Sequence, residues 1–286
     1  MTGGVEFTKG HGTQNDFVVL PDPDAALDLT PERVAALCDR HRGLGADGVL
    51  RVVRWEKLAG ADGVGDPEPG VEWFMDYRNG DGSVAEMCGN GVRVFARYLH
   101  ERGWAPGGGP VGTRAGVRAA RVDGGLVSVD MGPVRIGPAS VATTGGARFD
   151  GIALDVGNPH LACVIAVDPD AVDLTRAPAV DPGLFPHGVN VEFVTPLDGD
   201  RVRMRVHERG VGETRACGTG TVAAVVAALR AAGHDAGDVR VSTPGGELRV
   251  TVEAGEGAAT GATVLHGPAV LLATGEIDRA WWDAPS

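Results

Sequence analysis

The chain predicts an α/β (α+β) fold of two similar halves, each with strands wrapped about one apolar helix. Three observations carry this. Short apolar runs separated by Gly, Pro and Asp recur along the whole length, at 17–20, 48–53, 126–129, 161–167, 189–194, 202–206 and 248–252, and predict strands with tight turns. Two apolar helices, one opening at Cys88 and one at Cys217, each stop at a glycine after roughly four turns, at Gly103 and Gly233. The two openings, Cys88-Gly89-Asn90-Gly91 and Cys217-Gly218-Thr219-Gly220, share the pattern Cys-Gly-polar-Gly and lie almost half the chain apart. A duplication explains that spacing.

The helix from Val222 to Leu229 has no polar face, so it must be buried all round, which strands about it would achieve. A shorter helix opens at Thr30-Pro31-Glu32, with Thr30 as cap and Pro31 in the first helical position. Cys38 falls on that helix and Cys163 inside an apolar strand run, so both are expected to be structural. The stretch 55–70, rich in Gly, Pro and acidic residues, reads as an exposed hairpin tip.

Composition narrows the function. The formal charge of -12 and the 5% aromatic content argue against nucleic acid and anionic membrane as partners. Met-Thr-Gly-Gly-Val-Glu offers no basic segment before an apolar run, so the expected setting is cytoplasmic. The cysteines form no CxxC pair, and no Cys/His cluster has zinc spacing; no metal is expected. With Lys9 and Lys57 as the only lysines, pyridoxal phosphate is a poor fit, because that cofactor needs a Schiff-base lysine. The expected cofactor is none.

A helix N-terminus presents unpaired N–H groups and partial positive charge. Glycines there let a ligand approach the backbone. Each Cys-Gly-x-Gly motif can therefore bind a carboxylate and lower the pKa of its own thiol. Two such motifs facing one anionic substrate would put a thiol on either side of it. Inverting a stereocentre needs that: a base on one face and an acid on the other, with amide donors stabilising the carbanion. Cys88 and Cys217 are the candidate catalytic pair.

Six segments in order resemble the diaminopimelate epimerase family. They are His11-Gly12-Thr13-Gln14-Asn15-Asp16-Phe17, Gly43-Leu44-Gly45-Ala46-Asp47-Gly48, Asn79-Gly80-Asp81-Gly82-Ser83 leading to the Cys88 motif, Gly157-Asn158-Pro159-His160, Asn190-Val191-Glu192-Phe193, and Glu208-Arg209-Gly210-Val211-Gly212-Glu213-Thr214 leading to the Cys217 motif. The resemblance covers essentially the whole chain. It implies interconversion of LL- and meso-2,6-diaminopimelate in lysine and peptidoglycan biosynthesis, with neither pyridoxal phosphate nor metal, and a homodimer. It also implies pseudo-twofold lobes, each a helix in a barrel-like wrap of mixed sheet, with the site in the cleft between them. The lobes are expected at 1–131 with 265–286, and at 132–264.

Carried over by position, Cys88 and Cys217 are the acid/base pair, and the amides of Gly89, Asn90, Gly218 and Thr219 hold the reacting carboxylate. Asn15, Asn79, Asn158, Asn190 and Arg209 are expected to recognise the charged ends of the substrate, with Glu208 on an ammonium. The residue types suit those roles. His160 is expected to tune the cysteines or to hold Glu208. Gln14 departs from the family pattern, where many relatives have glycine, and Gly48 stands where some have a substrate-contacting glutamine. The competing expectations are a related two-cysteine racemase of the proline or histidine type, and a non-catalytic amino-acid-binding relative.

Overall fold

Two helices whose middles are buried on every side organise the molecule. The computed structural model describes residues 3–284. The chain separates into two units, Met1–Val129 with Pro268–Ser286, and Asp130–Gly267.

In the first unit β1 (Val5–Gly12), β2 (Asn15–Pro21), α1 (Pro31–Cys38), β3 (Gly48–Arg54) and β4 (Trp73–Asn79) precede α2 (Gly89–Glu101). After α2 come β5 (Gly108–Thr113), β6 (Gly116–Asp123) and β7 (Leu126–Asp130). The second unit runs β8 (Arg135–Thr144), β9 (Ala147–Asp155), β10 (Pro159–Val164), β11 (Asn190–Val194), β12 (Arg201–Glu208), the short β13 (Gly212–Thr214), α3 (Gly218–Ala231), β14 (Gly237–Thr243), β15 (Gly246–Val252) and β16 (Thr263–Pro268). The chain then returns to the first unit with β17 (Val270–Ile277) and α4 (Arg279–Asp283).

The two sheets have one topology. In the first unit β17, β1, β2, β3, β4, β5, β6 and β7 lie side by side, with β2–β3 and β4–β5 parallel and the rest antiparallel. In the second, β8, β9, β10, β11, β12, β14, β15 and β16 repeat that order, with β10–β11 and β12–β14 parallel. The C-terminal strand β17 thus takes, in the first unit, the place that β8 fills in the second. Each sheet wraps its helix without closing on itself.

The helices sit where their sequences demand. Every residue of α3 from Gly218 to Leu229 is buried, as a helix without a polar face requires. In α2 Val92, Val94, Phe95 and Leu99 are buried beneath the sheet. Both helices end in a Schellman motif on a glycine of positive φ. Gly103 (φ 70) donates to His100 O and Trp104 to Leu99 O; Gly233 (φ 78) donates to Arg230 O and His234 to Leu229 O. Thr30 caps α1 by accepting from Arg33 N–H at 3.3 Å.

Cys38 joins a second core layer with Val18, Leu20, Leu37 and Trp282, and Cys163 joins one with Leu161, Val191 and Phe193. Burial pushes both thiols up to about 12, so neither ionises near neutrality. Two expectations need adjustment. The strand predicted over 161–167 stops at Val164, one residue before Ile165 makes a last backbone bond to Val194 O. The 55–70 stretch is the exposed tip of the β3–β4 hairpin, but its base is anchored: Trp55 and Leu58 are buried in a one-turn 3-10 helix, and Trp55 Nε1–H donates to Gly65 O at 3.0 Å. Among the described residues no helix is long and apolar enough to cross a membrane.

Burial this complete makes the central helices sensitive to truncation. Phe95→Ala is expected to cost about 3–5 kcal/mol, from lost transfer energy and the cavity left behind. Leu272→Ala, at a position 68% exposed, should stay within about 0.5 kcal/mol of the parent. Urea unfolding followed by circular dichroism checks both.

Candidate active site: two half-sites at equivalent helix starts

The first half-site lies at the start of α2. Cys88 is the N-cap residue, extended at φ -142 and ψ 117, and its Sγ accepts the Gly91 N–H at 3.4 Å. The fit at Gly91 is close: a Cβ would lie 3.4 Å from Cys88 Cβ and 3.3 Å from Leu50 Cδ2. The hairpin between β1 and β2 reaches the same place. Asn15 Oδ1 lies 3.6 Å from Cys88 Sγ and accepts from Asn90 Nδ2 at 3.2 Å. Asn15 Nδ2 donates to Asp47 Oδ2 at 2.8 Å, which fixes which end of its amide faces the thiol. Asn90 Oδ1 in turn accepts from Arg93 Nη2 at 2.8 Å. Asn79, at the end of β4, is held in a turn: its Nδ2 donates to Ser83 Oγ at 3.0 Å.

The hairpin turn explains one departure from the family pattern. Thr13 and Gln14 have φ of 52 and 63, both left-handed, as a two-residue turn of type I′ requires. Glycine would adopt that conformation without strain, whereas Gln14 holds it as a side-chain-bearing residue.

The second half-site lies at the start of α3. Cys217 is the N-cap at φ -122 and ψ 123, is buried, and its Sγ lies 3.6 Å from Thr219 Oγ1. A Cβ on Gly220 would meet Glu192 Oε1 at 2.6 Å and Cys217 Sγ at 3.3 Å. Glu192 and His160 form a pair with no solvent exposure: His160 Nδ1 is 2.7 Å from Glu192 Oε1, and His160 Nε2 is 3.0 Å from Asn158 Oδ1. Burial raises the Glu192 pKa against the lowering by His160. Glu192 Oε2 has no hydrogen-bond partner among the described residues.

The remaining predicted residues of this unit cluster on the β12–β13 turn. Glu208 accepts from the Thr214 hydroxyl. Asn190 Oδ1 accepts the Arg209 N–H at 2.9 Å, and the exposed Arg209 side chain donates from Nη1 to His187 O at 3.1 Å.

Two points differ from the sequence-based expectation. His160 pairs with Glu192 and Asn158, and not with Glu208. The thiol of Cys217, expected to be lowered by its helix start, is pushed well up by burial and by the charges of Glu208 and Glu192. The sequence reading assigned no role to Glu192, Arg93 or Asp47. A signal for Glu192 was present, as a lone carboxylate inside the apolar run 189–194. Arg93 gave a similar one, between Val92 and Val94 in a helix otherwise destined for burial.

The half-sites occupy matching positions. Gly91 abuts Leu50 and Gly220 abuts Glu192, which aligns β3 with β11. The parallel registers Phe17↔Gly48 and His160↔Asn190 then align Asn15 with Asn158, Phe17 with His160, and Gly48 with Asn190. Asn79 faces Gly48 across β3–β4. Continuing the Val191↔His207 pairing places Glu208 opposite Asn190, so Asn79 matches Glu208.

Comparison with known proteins agrees with this duplicated design. Solved structures share the fold at low identity. A probable proline racemase from Agrobacterium radiobacter K84 has TM-score 0.66 and 15% identity over 98% of this chain and 94% of its own. A phenazine biosynthesis PhzF-family protein of Enterococcus faecalis has TM-score 0.64 and 12% identity over 96% and 99%. Sequence relatives are far nearer. The diaminopimelate epimerase of Rhodococcus opacus is 57% identical, covering 99% of this chain and all of that protein. That of Mycolicibacterium smegmatis is 56% identical over 97% and 98%. The diaminopimelate epimerase family model matches residues 7–137 and 152–272, spanning both half-sites. The chain belongs to the diaminopimelate epimerase family, a family of isomerases.

Proposed function

We propose that the protein epimerises LL-2,6-diaminopimelate to the meso isomer with Cys88 and Cys217 as a two-base pair, without pyridoxal phosphate. The observation that carries this reading is the pair of cysteine N-caps at equivalent positions of two units of one topology, in a chain more than half identical to named diaminopimelate epimerases. One cysteine, as thiolate, removes the α-proton, and the other, as thiol, returns a proton to the opposite face; the roles exchange in the reverse direction. The amides of Gly89, Asn90, Gly218 and Thr219 hold the reacting carboxylate and stabilise the carbanion, since helix-start N–H groups are preorganised for developing negative charge. Asn15, Asn79, Asn158, Asn190 and Arg209 take the charged ends of the substrate, and Glu208 takes an ammonium. His160 supports the Cys217 side through its bonds to Glu192 and Asn158. A cytoplasmic homodimer belongs to the same reading.

The deciding experiment is incubation with LL-diaminopimelate in D2O without added cofactor. Deuterium should enter the α-carbon as the meso isomer forms. Cys88→Ser and Cys217→Ser should each abolish inversion. Retained inversion in either variant would rule out the two-cysteine mechanism. Exchange with proline or histidine in place of diaminopimelate would keep the chemistry and change the substrate.

Gly220→Ala is expected to lower kcat/KM at least about tenfold, because the new methyl must displace either a buried carboxylate or the reacting sulfur by a sizeable fraction of an ångström. Steady-state kinetics beside a melting curve, which should move little, separate that effect from unfolding.

A further inference from the structure

The two half-sites match in backbone and oppose each other in charge. Five residues after Cys88 stands Arg93; five residues after Cys217 stands Val222. Opposite the third-position glycine stands Leu50 in the first unit and Glu192 in the second; where the first unit has Phe17, the second has His160. The sheet beneath Cys88 is therefore apolar at positions where the sheet beneath Cys217 carries a carboxylate and an imidazole.

Arg93 is wholly buried. Only its Nη2 finds partners, Thr13 Oγ1 at 2.7 Å and Asn90 Oδ1 at 2.8 Å. Nε and Nη1 have no hydrogen-bond partner among the described residues, and no carboxylate forms an ion pair with it there. A buried cation left this way is costly unless some anion answers it. The ionisable side chain whose charge acts on Arg93 is Cys88. The chain makes room for the arrangement. A Cβ on Gly12 would lie 3.0 Å from Arg93 Nη2, and Thr13, β-branched, holds the left-handed conformation with its hydroxyl on that same nitrogen.

Other charges near this half-site are already committed. Asp16 pairs with Lys9 and Arg40, and Asp47 with Arg40 and Asn15. His11 accepts from Gln14 N–H, and Glu86 is exposed. The Asn15 amide oxygen beside the sulfur favours the thiol, but a neutral dipole is weaker than a full charge in a water-poor setting. Around Cys217 the charges of Glu208 and Glu192 oppose a further negative charge.

We infer that Arg93 is a positioning residue of the Cys88 half-site, the buried counter-charge that makes Cys88 the thiolate and leaves Cys217 the thiol before substrate binds. It acts directly by charge. It also acts through Asn90, whose oxygen it holds so that the Asn90 nitrogen is turned toward Asn15. The inference rests on the two-cysteine reading above.

The test is alkylation of each cysteine by iodoacetamide, without substrate, quantified by peptide mass spectrometry from pH 5 to 10. The readout is the midpoint of each pH profile, because rates also reflect the deeper burial of Cys217. In the parent, the Cys88 midpoint should lie below that of Cys217. Arg93→Met should raise the Cys88 midpoint by about 1–3 pH units and leave Cys217 in place. Arg93→Lys, which keeps the charge, should restore most of the difference. A Cys217 midpoint at or below that of Cys88 in the parent overturns the inference. So does an Arg93→Met profile unchanged at Cys88. Should Arg93→Met fail to fold, the parent order and the lysine variant still decide. Failure of the two-cysteine mechanism would instead appear as continued inversion in D2O by the serine variants, whatever the midpoints.

Discussion

The structure depends on one constraint: two helices buried along their length, α2 and α3, must each be enclosed by strands on every side. Strands satisfy the sides of α2 and α3, which frees the backbone N–H groups at their starts to be the polar end of an apolar rod. The cysteine at the N-cap and the glycine three residues on are a matched pair. The glycine lets the sulfur lie against the helix start, and the sulfur of Cys88 accepts the glycine's own N–H. At Gly220 a side chain would displace the Glu192 carboxylate or the Cys217 sulfur. The local sequence Cys-Gly-x-Gly thus has a packing reason of its own, clearest at Gly220.

Duplication supplied two copies of this device, and divergence then made them unlike. The backbone path, the parallel and antiparallel pairings and the Schellman stops are shared. What differs is a handful of buried side chains: Phe17 against His160, Leu50 against Glu192, Arg93 against Val222. Each would be unfavourable on hydrophobic grounds alone, since burying a charge costs more than burying a methyl group gains. Glu192 pairs with His160, whereas Nε and Nη1 of Arg93 have no hydrogen-bond partner among the described residues. Under the proposed two-cysteine mechanism the two residues need different protonation states at the start of each turnover, and an unequal charge environment provides that difference.

Much of this was legible in the sequence, because the signals were periodic or paired. The apolar stretch 222–229 could be only a buried helix, and Gly103 and Gly233 marked both stops. The two cysteine motifs announced the duplication. What the sequence hid was which buried polar groups partner one another. His160 has two carboxylates in nearby strands, and nothing in the linear order favours Glu192 over Glu208; the parallel β10–β11 register decides it. Arg93 is visible as a charge in a helix destined for burial, but its partner is not: the β1–β2 hairpin brings Thr13 against it from 80 positions away. The ionisation of Cys217 was misjudged for a related reason: the helix start is visible in the sequence, whereas the two carboxylates near it are visible only in the fold.

The return of the C-terminal strand adds a last consequence. β17 fills the edge position beside β1 that β8 fills beside β9, and it also packs on α2. The first unit therefore lacks a strand until the whole second unit has been made, and the Val5↔Ile277 pairing joins the two ends of the chain. Such a contact costs more loop-closure entropy than local pairings do. The second unit, by contrast, is contiguous in sequence and completes its sheet from its own strands. The Cys88 half-site gains the last strand of its sheet only when β17 arrives, and its buried Arg93 is sheltered by a unit that the two chain ends close together.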